Sequence, residues 1–318
     1  MKKFCVRFLA AALTIIICAG TVCATTLIPG GQVIGLQLED DTVTVAGFHE
    51  TLGDAAKAAG MVTGDRIVAV DGAPIKCVAD VRQALERSDG TVDISLLRSG
   101  KAKRLTLAPA ATLEGPKLGV YLRQGTTGLG TVTYYEPDSG QYGALGHGVN
   151  CTDGSLLKMH SGSVYEAAVF SVKKGAVGSP GQLLGQLTKA VSVGTVEQNT
   201  MQGVFGHLEQ AIRDEPLPAG DAHVGSAVIR STVGNEGLQE YSVEILKIYP
   251  NSQDRTRNLL LKVTDTTLLE KTGGIVQGMS GSPIIQDGKL VGAVTHVLVN
   301  DPTTGYGIFI ENMLDAAA

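Results

Sequence analysis

The chain has 318 residues, a formal net charge of −5, 43% hydrophobic residues and no tryptophan. Its acidic balance argues against nucleic acid as a partner, because binding a phosphate backbone needs a surplus of Lys and Arg. Cys5, Cys18 and Cys23 crowd the first residues, leaving Cys77 and Cys151; a disulfide is neither required nor forbidden, no Cys/His cluster has metal spacing, and neither a metal nor a cofactor is expected.

The N-terminus reads as an export signal. Lys2, Lys3 and Arg7 precede an uncharged stretch from Phe8 to Leu38 that is most apolar from Phe8 to Ala19, and Val22-Cys23-Ala24 supplies small residues for cleavage. Residues 1–28 are therefore a signal peptide or a membrane anchor; Phe8 to Ile28, about 20 residues, is just long enough to cross a bilayer. No later run approaches that length, so the rest of the chain is expected to fold outside the cytoplasm. Losing residues 1–24 removes Lys2, Lys3 and Arg7 and makes the remainder more acidic.

Residues 30–110 read as one small α/β domain. Gly64-Asp65-Arg66-Ile67-Val68-Ala69-Val70-Asp71-Gly72 alternates as a strand and ends in an Asp-Gly turn. It follows the short segment Ala55 to Gly60 and precedes an amphipathic helix from Val78 to Leu85 and a strand from Val92 to Leu97. This order resembles a bacterial PDZ domain, a module that adds an extended peptide to a sheet edge and holds its terminal carboxylate on backbone N–H groups. By that resemblance Val33, Ile34, Gly35 and Leu36 form the carboxylate-binding loop; on their own they read equally as a strand entering the domain.

Ala108-Pro109-Ala110-Ala111 suits a linker, and residues 117–318 form the next domain. Glycines recur, strands are short, and helical periodicity is confined to Val204–Arg213 and Leu268–Lys271, a pattern that fits two packed β-barrels. Ser171 to Gln186 reads as loops between short strands. Tyr241 to Ile248 alternates as a strand.

Chemistry enters at Gly278-Met279-Ser280-Gly281-Ser282-Pro283. Glycines on either side of Ser280 let the backbone turn so that the Gly278 and Ser280 N–H groups can serve as an oxyanion hole, and Asp287-Gly288 beyond it marks a hairpin. A nucleophilic serine needs a base. Among His49, His147, His160, His207, His223 and His296, only His147 is bracketed by glycines, in Tyr142-Gly143-Ala144-Leu145-Gly146-His147-Gly148-Val149. His296, inside a strand, reads as a structural residue or a wall of the site.

The segment Val263 to Leu314, VTDTTLLEKTGGIVQGMSGSPIIQDGKLVGAVTHVLVNDPTTGYGIFIENML, resembles the SpoIVB peptidase family, with support from Leu118-Gly119-Val120 through Thr131, from YGALGHGV and from Leu27 to Gln32. The resemblance implies a PDZ domain ahead of a chymotrypsin-like double β-barrel, and a His/Asp/Ser triad of His147, Asp265 and Ser280. It also implies a sporulation role: cleavage, between forespore and mother cell, of a membrane-associated regulatory protein whose loss leads to sigma-factor activation, together with self-cleavage. From the residues alone, Asp265 is either the group that orients His147 or the N-cap of a helix through Leu268-Leu269-Glu270; Asp153 and Asp254 are alternative orienters. A base with an ordinary imidazole pKa predicts that activity falls as the pH drops through about 6 to 7. Two other readings stay open: a catalytically inactive, PDZ-bearing interaction protein, and an ester hydrolase, although no G-x-S-x-G elbow is present.

Overall fold

The computed structural model describes residues 25–151, 154–210, 214–253 and 255–318. The export segment up to Ala24, Asp153 and Asp254 lie outside the described residues. Among those described, no helix is long and apolar enough to cross a membrane. The last residues of the span 1–28 belong to the folded body: Thr26–Pro29 form β1, and Leu27 is fully buried.

The chain then runs through β2 (Val33–Phe48), α1 (Asp54–Ala58), β3 (Arg66–Val70), β4 (Ala73–Pro74), α2 (Val78–Arg87), β5 (Val92–Arg98), β6 (Lys101–Leu107) and β7 (Val120–Tyr135). After β8 (Gln141–Ala144) come β9 (Met159–Lys173), β10 (Gln182–Thr200), β11 (Gly203–Leu208) and β12 (Leu217–Pro218). The C-terminal part comprises β13 (Gly225–Thr232), β14 (Leu238–Ile248), β15 (Leu259–Val263), α3 (Thr266–Thr272), β16 (Pro283–Gln286), β17 (Lys289–Leu298), β18 (Asp301–Phe309) and α4 (Ile310–Ala317).

Two barrels result. In the first, β7, β8, β11, β10, β9 and β2 pair in that order, and the β2–β7 ladder closes the ring. In the second, β13, β14, β15, β18, β17 and β16 form a closed barrel. Period-2 alternation drives both: Tyr241, Val243 and Ile245 of β14 and Leu259, Leu261 and Val263 of β15 point into the second barrel while their neighbours face out. Full burial of each such side chain is worth about 1.5–3 kcal/mol. Closure removes the exposed edges that an open sheet leaves unpaired. A separate cluster of Leu27, Tyr134, Phe205, Leu290, Ala293, Ile308, Ile310 and Met313 seals the seam between the barrels.

The small domain has its own core, with Val43, Val45, Met61, Ile67, Val81, Leu85, Ile94, Leu96 and Leu118 among its members. The Asp71-Gly72 and Asp287-Gly288 turns form as expected, each residue at positive φ. Three readings are corrected. The strand entering the small domain is not its own: β2 runs through both domains, and its first half belongs to the first barrel, so the small-domain core starts near Val43 rather than at 30. Val33, Ile34, Gly35 and Leu36 are therefore no binding loop, since Ile34, Gly35 and Leu36 pair with Gly130, Leu129 and Gly128 of β7 on one side and with Glu166, Tyr165 and Val164 of β9 on the other. A strand laddered on both edges has no N–H or C=O groups left for a peptide. Third, the periodic stretch from Val204 forms β11, because Val204 and Phe205 sit between β8 and β10 and the barrel overrides a local pattern that suits either element.

Candidate active site

Gly278 and Gly281 hold the Ser280 loop in a shape that few other residues allow. Their φ angles are +100° and +97°, a region that residues with a Cβ avoid. A Cβ on Gly281 would also lie 2.6 Å from the Leu145 amide nitrogen. The loop's donors divide in a regular way. The N–H groups of Gln277, Met279, Gly281 and Ser282 donate to Gly181, Val276, Val294 and Met279 carbonyls at 2.8–3.1 Å. Those of Gly278 and Ser280, the two in between, donate to no group among the described residues. Unpaired backbone donors are expensive inside a fold, and two of them flanking a serine hydroxyl are what a developing oxyanion needs.

The two serines of the motif have different surroundings. Ser280 is half-buried, and its hydroxyl donates to the Thr295 carbonyl at 2.8 Å. Ser282 is fully buried, with its hydroxyl donating to Ser231 Oγ at 3.1 Å. Only the first has access to anything outside the protein.

His147 follows β8 through Leu145 and Gly146, both at positive φ. Its Nδ1 lies 2.9 Å from the Gly148 carbonyl. A carbonyl can only accept, so this contact assigns the proton to Nδ1 and leaves Nε2 with a free lone pair. Burial pushes the imidazole pKa below its ordinary value, and the Gly148 bond opposes part of that shift. The acid limb of a reaction that needs this base is thereby moved below the ordinary imidazole range. The ring packs 5.2 Å from that of His296, tilted by 40°, so His296 lies beside the His147 imidazole. Ser280 and His147 approach one another through backbone: Gly281 abuts Leu145, and the acceptor of the Ser280 hydroxyl, Thr295, directly precedes His296. No hydrogen bond joins the Ser280 hydroxyl to His147 in this conformation.

The structure does not bring Asp265 to His147. Its carboxylate caps α3, accepting from the Leu268 N–H at 2.9 Å, and the Ser242 N–H approaches its other oxygen at 3.4 Å. Its charge acts on Lys271 and Tyr241. The cap, one of two roles open to this residue in the sequence, accounts for its contacts here. Asp153 and Asp254 are outside the described residues. The remaining histidines lie elsewhere: His207 bonds Glu197, His223 bonds Asp287, and His160 lies near Glu39 and Asp41.

A second site lies on the small domain. A groove of about 640 Å³ runs between α2 and the start of β7, with walls that include Val78, Val81, Leu85, Leu118, Val120 and Leu122. On its β7 side, Val120 to Gln124 pair with β2 along one edge only. Leu118 and Gly119, at its end, have N–H groups that donate to nothing among the described residues, while the Gly119 carbonyl accepts from His49. The pattern apolar-Gly-apolar in Leu118-Gly119-Val120 is the sequence signal for this loop, and Ile34-Gly35-Leu36 carries the same pattern in a barrel strand.

The model of the SpoIVB peptidase S55 family matches residues 114–314. A protein of Rhizobium meliloti named as a zinc metalloprotease is 35% identical over 78 residues, which is 24% of this chain and 21% of that protein; the match thus spans about a fifth of the curated relative. Among solved structures, the PDZ domain of an SdrC-like protein from Listeria monocytogenes is 22% identical over 26% of this chain and 87% of that one, with a TM-score of 0.22. The inactive form of the protease Rv3671c of M. tuberculosis is 16% identical over 60% of this chain and 84% of that one, with a TM-score of 0.35.

Proposed function

The chain belongs to the SpoIVB peptidase S55 family, a family of serine peptidases, and from that premise we propose that it is an exported serine endopeptidase acting by acyl-enzyme chemistry at Ser280. The observation that carries this reading is the pair of unpaired N–H groups on Gly278 and Ser280. In the reaction the Ser280 hydroxyl leaves the Thr295 carbonyl and attacks the peptide carbonyl while His147 Nε2 takes its proton. The oxyanion is received by the two N–H groups, a contribution of about 10²–10³ in rate for each donor. His147 then returns the proton to the leaving amine, and water attacks the acyl ester by the same base. We assign the fixing of the His147 tautomer to the Gly148 carbonyl, and to Asp265 the cap of α3 in place of the orienting role that the family resemblance implies.

The groove between α2 and β7 suits a peptide added as a strand to the free edge of Val120 to Gln124, with its carboxylate on the Leu118 and Gly119 N–H groups. It would deliver a protein substrate to Ser280. In keeping with the family, that substrate is a membrane-associated regulatory protein cut outside the cytoplasm during endospore formation, upstream of sigma-factor activation, and the enzyme also cleaves itself. The parked Ser280 hydroxyl, unbonded to His147, and the absence of Asp265 from His147 favour an inactive interaction protein. A fluorophosphonate, which phosphonylates an activated serine and expels fluoride, separates the two: labelling of the full chain at Ser280 supports the enzyme, and its absence in folded protein supports the scaffold.

A further inference from the structure

The oxyanion loop belongs to the second barrel, yet one residue of the first barrel grips it at two points. Thr131, on β7, is fully buried. Its hydroxyl donates to the Gly278 carbonyl at 2.8 Å, and its N–H donates to the Ser280 carbonyl at 3.2 Å. Its own carbonyl accepts from the Leu145 N–H at 3.2 Å, two residues before His147. Gly278 has no side chain to restrain its torsions, so a peptide flip there is sterically open. The Thr131 hydroxyl blocks such a flip by holding the carbonyl of the Gly278–Met279 peptide, the unit that lies between the two peptides bearing the free Gly278 and Ser280 N–H groups.

We propose that Thr131 is a positioning residue of the oxyanion hole: it locks the Gly278–Met279 peptide that links the two free donors and, through its backbone, ties the Ser280 turn to the segment that carries His147. This inference rests on the reading of Ser280 as the nucleophile. It is local, because Thr133, two residues along the same strand and equally buried, has a hydroxyl with no hydrogen-bond partner among the described residues. Loss of the Thr133 hydroxyl therefore serves as a control for burial alone.

The experiment measures the rate of fluorophosphonate labelling per folded molecule for the full chain and for Thr131→Val, Thr131→Ser and Thr133→Val, with folded fraction from circular dichroism. Thr131→Val is expected to label at least about tenfold more slowly, part of what a lost oxyanion donor costs. Thr131→Ser and Thr133→Val are expected to stay within about threefold of wild type, and the pH midpoint of labelling should not move, because His147 keeps its surroundings. Equal rates for Thr131→Val and wild type, or an equal deficit in Thr133→Val, overturn the proposal. If Thr131→Val does not fold, the pair Thr131→Ser and Thr131→Cys carries the same test: a slow Cys variant beside a fast Ser variant supports the strut, and equal rates overturn it. Wild-type protein that folds but does not label at Ser280 removes the nucleophile reading and this inference with it, an outcome distinct from labelling that is indifferent to Thr131.

Discussion

The Ser280 loop and the Leu118-Gly119 entry to β7 each present a pair of backbone N–H groups that donate to nothing among the described residues. Both pairs include a glycine, and both suit an anionic oxygen. They differ in what surrounds them. Around Gly278 and Ser280 stand a hydroxyl, an imidazole with its proton assigned to Nδ1 and a second histidine ring. Around Leu118 and Gly119 stand aliphatic walls from α2 and β7, with His49 and the charged Arg82, Glu86, Glu114 and Lys117 also lining the groove and no serine or cysteine among its lining residues. On the proposed reading the same backbone device stabilises charge that develops during a reaction in one place and holds charge already present on a peptide end in the other. Neighbouring side chains decide between catalysis and capture.

The sharpest way to break this comparison is to remove the nucleophile. Ser280→Ala should lower peptide cleavage by on the order of 10⁶ with the fold retained, while Ser282→Ala should leave cleavage near wild type and cost about 1–3 kcal/mol of stability by stranding the buried Ser231 hydroxyl. Steady-state cleavage and thermal melts of both variants check this; a dead Ser282→Ala beside an active Ser280→Ala would assign the nucleophile to the wrong serine.

Acid titration is next in size. Because burial lowers the His147 pKa, the neutral base survives to more acid pH than a free imidazole, and labelling should lose about tenfold per pH unit only below a midpoint under 6.5. A midpoint above 6.5 would show that the histidine is not the desolvated base described. The same shift has a stability sign: the unfolded chain takes up its proton first, so this group's contribution falls as the pH drops below the unfolded value.

The capture site is sharpened by Val78→Lys, which places a charged, flexible side chain in the groove. Binding of a C-terminal peptide, followed by fluorescence anisotropy, should weaken about tenfold, roughly 1.4 kcal/mol, with fluorophosphonate labelling of Ser280 unchanged. Unchanged peptide affinity would place the binding surface elsewhere.

The smallest effect is expected from Asp265→Asn. Asparagine caps a helix about as well as aspartate, so cleavage should change by less than about threefold. A loss near 10⁴ would instead mark Asp265 as the group that orients His147 during turnover.

Much of this was legible in the chain. The Ser280 loop could be read because glycine at positive φ leaves a signature in sequence, and His147 stood out by its flanking glycines. Asp-Gly turns and the alternation of Tyr241 to Ile248 announced their strands for the same local reason. The cap at Asp265 was one of two local readings. What could not be read were the relations between distant segments. Whether Ile34-Gly35-Leu36 or Leu118-Gly119-Val120 forms the groove depends on which strand acquires a second neighbour, and β2 found one in β9. Val204-Phe205 took a strand conformation because a barrel needed one between β8 and β10. Thr131 looks in sequence like any threonine of a strand, and its hydroxyl gained an acceptor only when the barrels packed. Sequence determined the backbone's local shapes, where sterics act over a few residues; tertiary structure decided partners, because hydrogen bonds and burial depend on whichever segments the closed barrels bring together.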